Sequence, residues 1–447
     1  ALSIYDNFAP RIGLTWDFTQ LTSRPGRGKV FFNYGRFYTS IPTNLVDRQF
    51  TGEGLYASQY VDYTGSNPLC AKSSQPGSVN GAGRPVADPL RAPGCTYPTG
   101  FVAGGTVGNV APGLQGQFIN EIIAGLQYDV GFDMVFGVSY IHRDLGRVIE
   151  DVSTDGRGYY FLANPGQTPD PNRITELQRD INTAQQALMG DPMNGDKQQA
   201  LALAQKRLEG YRAAGSVFPR AVRNYDALVI TLNKRLSNRF SVLGSYTYSR
   251  TIGNYPGLFS PSNGQLDPNG SSQFDLTDLL ANRSGPLPND RPHNFKLSGF
   301  YVQPIGAKAN LTFGLTFSAY SGRPIEVLGT HLYYGGNEVY ILPRGAGGRT
   351  PPVSQFDLSV GYDQQLGKGV SLRLFADVIN LFNQRAVTNV DDTYTNDPVQ
   401  SIPGGSIEDL RRLRTLFGGI PVVNSNYGQP VAFQEPMYFR FGGRIGF

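Results

Sequence analysis

The chain lacks what it would need to cross a membrane as a helix or to hold a catalytic metal. None of its 447 residues fall in a run approaching the roughly 18 consecutive apolar residues of a spanning helix. Charged residues make up only 17%, and the formal net charge is +4 with Lys and Arg scattered, which removes the electrostatic footprint of a nucleic-acid binder. The three histidines, His142, His293 and His331, show neither metal-ligand spacing nor a nucleophile motif. No enzyme and no cofactor are therefore expected, and His142 and His293, at strand ends, are read as interfacial or hydrogen-bonding residues. The two cysteines, Cys70 and Cys95, have no further Cys pair or His nearby for a zinc site. Their shared Gly/Pro/Ser-rich segment predicts a disulfide in an oxidising compartment, with two free thiols as the alternative. Residues 1–20 contain no basic stretch followed by an apolar one, so no signal peptide is visible, and the expectation is that it was removed or that the N-terminus lies upstream.

Turn formers and rings are plentiful: 55 Gly, 31 Pro and 12% aromatics favour an all-β chain. The mean hydropathy of −0.28 does not oppose a membrane barrel, because only alternate residues of each strand face lipid.

Period-2 alternation recurs in pairs. Arg11 to Thr19 puts Ile12, Leu14, Trp16 and Phe18 on one face and is answered by Lys29 to Thr39. Gln117 to Val130 pairs with Met134 to about Glu150, and Asn224 to Leu236 with Arg239 to Arg250 across Ser237-Asn238. His293 to Gln303 pairs with Asn310 to Tyr320, and Val353 to Leu366 with Val370 to Asn383. A last strand, Met437 to Phe447, places Met437, Phe439, Phe441 and Ile445 on one face and Tyr438, Arg440 and Arg444 on the other. Short turns inside the hairpins alternate with long segments between them, 40–116, 151–223, 251–292, 321–352 and 384–435. Segment 151–223 carries two helical stretches, one with Ile174, Leu177, Ile181, Ala184 and Leu188 at three- and four-residue steps, the other with Leu201, Ala204, Leu208 and Tyr211. They are read as a self-packing hairpin of helices, with a partner- or membrane-binding role as the alternative. A short helix is expected over Ser406 to Phe417.

This is the pattern of an antiparallel transmembrane β-barrel, with about eleven strands of lengths that fit tilted membrane strands. The end of the chain resembles the assembly signal of bacterial outer-membrane barrels, carried here by Phe439, Phe441, Ile445 and Phe447. Asp377-Val-Ile-Asn-Leu-Phe-Asn-Gln-Arg385 is similar to the penultimate-strand motif of TonB-dependent outer-membrane receptors. Arg291 to Tyr301, Phe240 to Arg250 and Asn224 to Arg235 resemble other strands of the Oar-like branch of that family.

The resemblance implies a barrel of twenty-two strands filled by an N-terminal plug that a TonB-type partner pulls with energy from the proton gradient. Residues 1–447 would then be the C-terminal half of the barrel, with an odd strand count and no recognisable plug. The expected setting is the outer membrane of a Gram-negative bacterium, with the C-terminus periplasmic and the long loops outside. Expected partners are outer-membrane lipid, the barrel-assembly machinery, the TonB-type protein acting through the absent plug, and the remaining half-barrel as another segment or chain. Transport is the leading function. A structural or adhesive surface protein is the alternative, and export stays open.

Two groups of side chains stand out as candidate sites. Arg373 and Asp377 lie opposite Leu372, Leu374 and Val378 on their strand and are expected to face the lumen. The loop carboxylates Asp391, Asp392 and Asp397, and likewise Asp267, Asp275 and Asp278, lack EF-hand spacing; they are read as ordinary solvated turns, with no metal expected and calcium as the weak alternative. The substrate-binding residues are not legible.

Overall fold

The computed structural model describes residues 7–39, 110–111, 113–153, 160–167, 171–216, 218–257, 272–332, 334–367 and 369–447, with short strands at Leu55–Gln59, Pro76–Gly77 and Val102–Gly104. Cys70, Cys95 and Asp267 lie outside the described residues.

Eleven strands form one antiparallel meander in chain order: β1 (Arg11–Trp16), β2 (Gly28–Tyr38), β3 (Phe118–Gly131), β4 (Met134–Arg147), β5 (Arg223–Ser237), β6 (Phe240–Gly253), β7 (His293–Ile305), β8 (Ala309–Tyr320), β9 (Val353–Gly367), β10 (Val370–Ile379) and β11 (Tyr438–Gly446). A two-residue strand, Gly285–Pro286, pairs alongside β6. All eleven coincide with the alternating stretches of the sequence. Among the described residues β1 pairs only with β2, and β11 only with β10, so the sheet has two open edges.

The ends of the strands depart from the periodicity for local reasons. β1 stops at Trp16 rather than Thr19, because Asp17 Oδ1 accepts the Thr19 amide at 2.8 Å and Oδ2 accepts the Gly26 amide at 2.9 Å. This side-chain turn replaces the ladder. Between β5 and β6 the tight turn is Asn238-Arg239, both at positive φ (50° and 71°), so Ser237 pairs with Phe240 and belongs to the strand. That conformation gives the two-residue hairpin the twist its strands need. β10 ends at Ile379, since Asn380 and Asn383 turn to φ 53° and 49°. Asn380 Nδ2 donates to the carbonyls of Gln384 and Glu435, both at 2.8 Å, and Asn383 Oδ1 accepts the Met437 amide. The motif around Asn380 thus ties the end of β10 to the start of β11.

The helices α1 (Pro171–Met189) and α2 (Gly195–Ser216) form the expected hairpin, with Leu177, Ile181, Ala204 and Leu208 buried between them. The helix expected over Ser406–Phe417 is instead a 3-10 turn, Ile407–Arg412. It ends where Leu413 turns extended (ψ 138°) and buries itself in the loop core.

The long segments are less loop-like than their composition suggests. Leu328–His331 lies between Gly335–Tyr340 and Thr393–Pro398 in a small sheet over Val327, Val339, Ile341, Leu342, Val399 and Leu413. A second cluster gathers Ala111, Val148, Phe218, Tyr255 and Phe274 from three other segments.

Candidate functional site

The pairing register sorts the strands into two unlike faces. Leu228, Tyr248 and Ile230, Tyr246 are cross-strand partners, as are Phe313 and Val360, Leu315 and Leu358, Phe317 and Phe356, and Val378 and Phe439. Following these partners across the sheet gives one apolar face running from Ile12, Leu14 and Trp16 on β1 to Phe439, Phe441 and Ile445 on β11. Many of its side chains are open to the surroundings, Leu315, Phe441 and Ile445 included. An apolar surface eleven strands wide far exceeds the few hundred Å² that soluble monomers expose; it is suited to hydrocarbon. Of the four terminal residues singled out in the sequence, Phe439, Phe441 and Ile445 lie on this face, and Phe447 stands just past the end of β11.

The opposite face is polar and carries both lumen candidates. Asp377 accepts hydrogen bonds from Ser359 Oγ (2.6 Å) and Arg440 Nε (2.8 Å), while Arg373 lies 3.7 Å from Asp363. On the same face Arg143 Nε donates to Glu121 Oε2 at 2.5 Å.

His142 and His293 are hydrogen-bonded on the apolar face near its loop end. His142 Nδ1 lies 2.8 Å from Asp226 Oδ1, which also accepts the Tyr140 hydroxyl, and His293 Nδ1 lies 2.8 Å from the Tyr246 hydroxyl.

Where the long segments fold over the polar face there is a cavity of about 930 Å³, lined by Arg143, Arg223, Arg291, Tyr225, Asn289 and Asn294 among others. Arg291 is anchored, its Nη1 donating to the Ser321 carbonyl at 2.8 Å with its guanidinium over Tyr320. Arg223 makes no ion pair or side-chain hydrogen bond among the described residues, and the buried Asn294 Oδ1 lacks a hydrogen-bond partner there. An unspent cation and an unspent acceptor lining one cavity suit a ligand that brings negative charge and hydroxyl or amide donors. Sequence reasoning missed this group; its one available signal was that Arg223 and Arg291 sit where long segments meet strands.

The layer of small strands is held by ion pairs, all but the Arg349 pair largely buried, that the sequence did not announce. Arg344 Nη1 reaches Glu326 Oε1 at 3.4 Å, Arg323 Nη1 reaches Asp392 Oδ2 at 2.9 Å, Arg283 pairs with Glu338, and Arg349 with Asp290. Burial raises the Glu326 carboxyl to about 7, outweighing the opposing pull of Arg344 and of the Gly345 amide. It also raises Asp392, against Arg323.

Asp391, Asp392 and Asp397 each have partners of their own. Asp392 holds Arg323, Asp391 accepts from the Thr393 amide and Asn424 Nδ2, and Asp397 accepts from the Val422 amide. Among the described residues no group of three His, Cys, Asp or Glu is placed to hold a metal ion.

Residues 3–340 match the family model described as an outer membrane beta barrel domain. The chain is 35% identical over 468 aligned residues to the TonB-dependent transporter Oar of Myxococcus xanthus, covering 100% of this chain and 39% of that protein. It thus spans about two fifths of the length of that relative. Among solved structures it resembles the outer membrane transporter YddB from Escherichia coli, with TM-score 0.44 and 12% identity over 87% of this chain and 38% of that one. It also resembles a ferric enterobactin receptor of Pseudomonas aeruginosa, with TM-score 0.40 and 14% identity over 98% of this chain and 40% of that one.

Proposed function

The chain belongs to the family of outer membrane β-barrel domains, and from that premise we propose that it is the C-terminal barrel portion of a TonB-dependent transporter. In this reading the eleven strands are one wall of a closed barrel of twenty-two. Its apolar face meets lipid, its polar face lines the lumen, and the short turns and Phe447 lie in the periplasm. The arginine-lined cavity beneath the outer loops is where substrate is first held, and a plug carried elsewhere gates passage when a TonB-type partner draws on the proton gradient.

The observation that carries the reading is the two-faced sheet, in a chain similar along its whole length to Oar, with Arg223, unpaired among the described residues, in a cavity on its polar side. A barrel used only as an anchor needs the apolar face but has no use for a cationic cavity facing inward.

The test compares cells bearing the native protein with cells deleted for it, following what each removes from or releases into the medium, with and without a proton uncoupler. A difference that needs both the protein and the gradient is expected. A phenotype of surface attachment that survives uncoupling would instead favour an adhesive anchor, the role for which the projecting α1–α2 hairpin is suited.

A further inference from the structure

The segment that joins β10 to β11 goes out along Val387–Val390 and Thr393–Pro398 and returns along a limb from Thr415 to Phe433. The limb is zipped onto the outgoing arm: the Leu416 amide donates to the Pro398 carbonyl, Asn424 to Tyr394, and Gly428 to Asp391. Bridges at Val399 with Thr415 and Thr395 with Val423 continue the zip. On its other side the outgoing strand Thr393–Pro398 is covered by Leu328–His331, so the limb is the last member of the layer. Its final part, Pro430–Phe433, pairs among the described residues with Val387–Val390 alone and precedes β11 by four residues. The limb therefore runs, after those four residues, into β11, the open edge strand of the main sheet.

The limb itself is uncharged and exposed. Native proteins guard exposed edges with charge, yet the eighteen residues from Leu416 to Phe433 contain no Asp, Glu, Lys or Arg. Phe417, Ile420 and Val422 are 82%, 79% and 75% exposed. Lipid does not account for them. The nine residues of β11, at about 3.3 Å each and tilted by roughly 40°, already rise some 23 Å, close to the full apolar band of a barrel. Phe417, Ile420 and Val422 lie farther along the chain from that band.

Strand direction decides against a second copy of this wall. β1 and β11 run the same way, since ten antiparallel steps separate them. Pairing β11 with β1 of a copy would be parallel, against the antiparallel order of bacterial barrels. Pairing β11 with β11 of a copy would set the copy upside down in the membrane, with its long loops on the wrong side.

We propose that the limb Thr415–Phe433 is an interface buried in the complete barrel, where it is covered by an uncharged, apolar outer loop belonging to the strand that hydrogen-bonds to β11. The proposal rests on the closed-barrel reading. The wall that completes the barrel then carries an odd number of strands, and its first contact outside the membrane is with Phe417, Ile420 and Val422.

The test uses the native protein in outer membranes of whole cells. Ile420→Cys and Met193→Cys, the latter 90% exposed at the tip of the α1–α2 hairpin, are labelled with a membrane-impermeant maleimide. The buried position is expected to react at least about tenfold more slowly, and a benzophenone side chain at Phe417 is expected to crosslink to a loop of the same barrel. Equal labelling, or an adduct with lipid, with a separate protein or with a second copy, overturns the proposal. Amide exchange over Tyr438–Gly446, measured without substitution, separates the two levels. Slow exchange there with a freely labelled Ile420 leaves closure standing and removes the interface; fast exchange there removes both.

Discussion

Arg440 grips Asp377 across β10 and β11, its Nε 2.8 Å and its Nη2 2.7 Å from the same carboxylate oxygen. The Asp377 side chain is only 6% exposed and that of Arg440 is 65% exposed. The pair is thus half in water on the polar face, so its attraction is screened and modest. A double-mutant cycle with Asp377→Ala and Arg440→Ala, read by urea unfolding in lipid vesicles, is expected to give a coupling of about 0.5–1 kcal/mol. A coupling above about 3 kcal/mol would mean that water is excluded from this level of the sheet.

The two faces make a sharper prediction. Leu315→Arg puts a guanidinium on the apolar face and is expected to cost about 2–4 kcal/mol if near the bilayer midplane, with reduced assembly. Ser371→Arg, on the polar face of β10, is expected to cost less. Equal tolerance of the two substitutions contradicts the facing.

The buried Glu326 sets a pH dependence of the loop layer. Its folded pKa, about 7, stands above its ordinary 4.5, so folding favours the protonated form. That stability is present in full below about pH 4.5, declines as the pH rises to 7 and is flat above. The ceiling is of order 3 kcal/mol at roughly 1.4 kcal/mol per unit. Amide exchange at Ile341, whose amide donates to the Val327 carbonyl, is expected to quicken between pH 4.5 and 7 beyond its intrinsic trend. Glu326→Gln should remove the excess. Identical profiles for the two proteins would mean that Arg344, Arg323 and the Gly345 amide hold the carboxylate charged throughout.

Arg223 tests the cavity. Arg223→Ala is expected to lower protein- and gradient-dependent uptake at limiting substrate about tenfold, equivalent to about 1.4 kcal/mol. Surface level is expected to stay unchanged, and Arg223→Lys to restore part of the loss. Unchanged uptake in the alanine variant would remove Arg223 from substrate binding.

The strands were legible because alternation over nine to fifteen residues can arise in few other ways, and each lies on a sheet with one wet and one apolar face. The helical hairpin was legible because its core, Leu177 and Ile181 against Ala204 and Leu208, repeats at helical spacing within a single segment. Leu328–His331 was not: four residues are too few to show a period, and one of its two partner segments lies more than sixty positions further along the chain. The same holds for Arg323 with Asp392, a pair that only the folded loops bring together. Even the strand ends were decided by side chains rather than pattern, as Asp17 and Asn380 show.

The α1–α2 hairpin buries its apolar residues against itself and touches the rest of the chain chiefly through α2, at Glu150–Ser153 and Tyr160–Ala163. Such an appendage is interchangeable. If the long segments face outward as proposed, a foreign helical pair of matched spacing, or a reporter peptide inserted at the Gly190–Asn194 tip, would be carried on the cell surface as cargo without rewiring the ion-paired layer. The hairpin is accordingly the place at which this barrel would accept a graft, and at which lineages could exchange one surface identity for another while keeping the wall beneath.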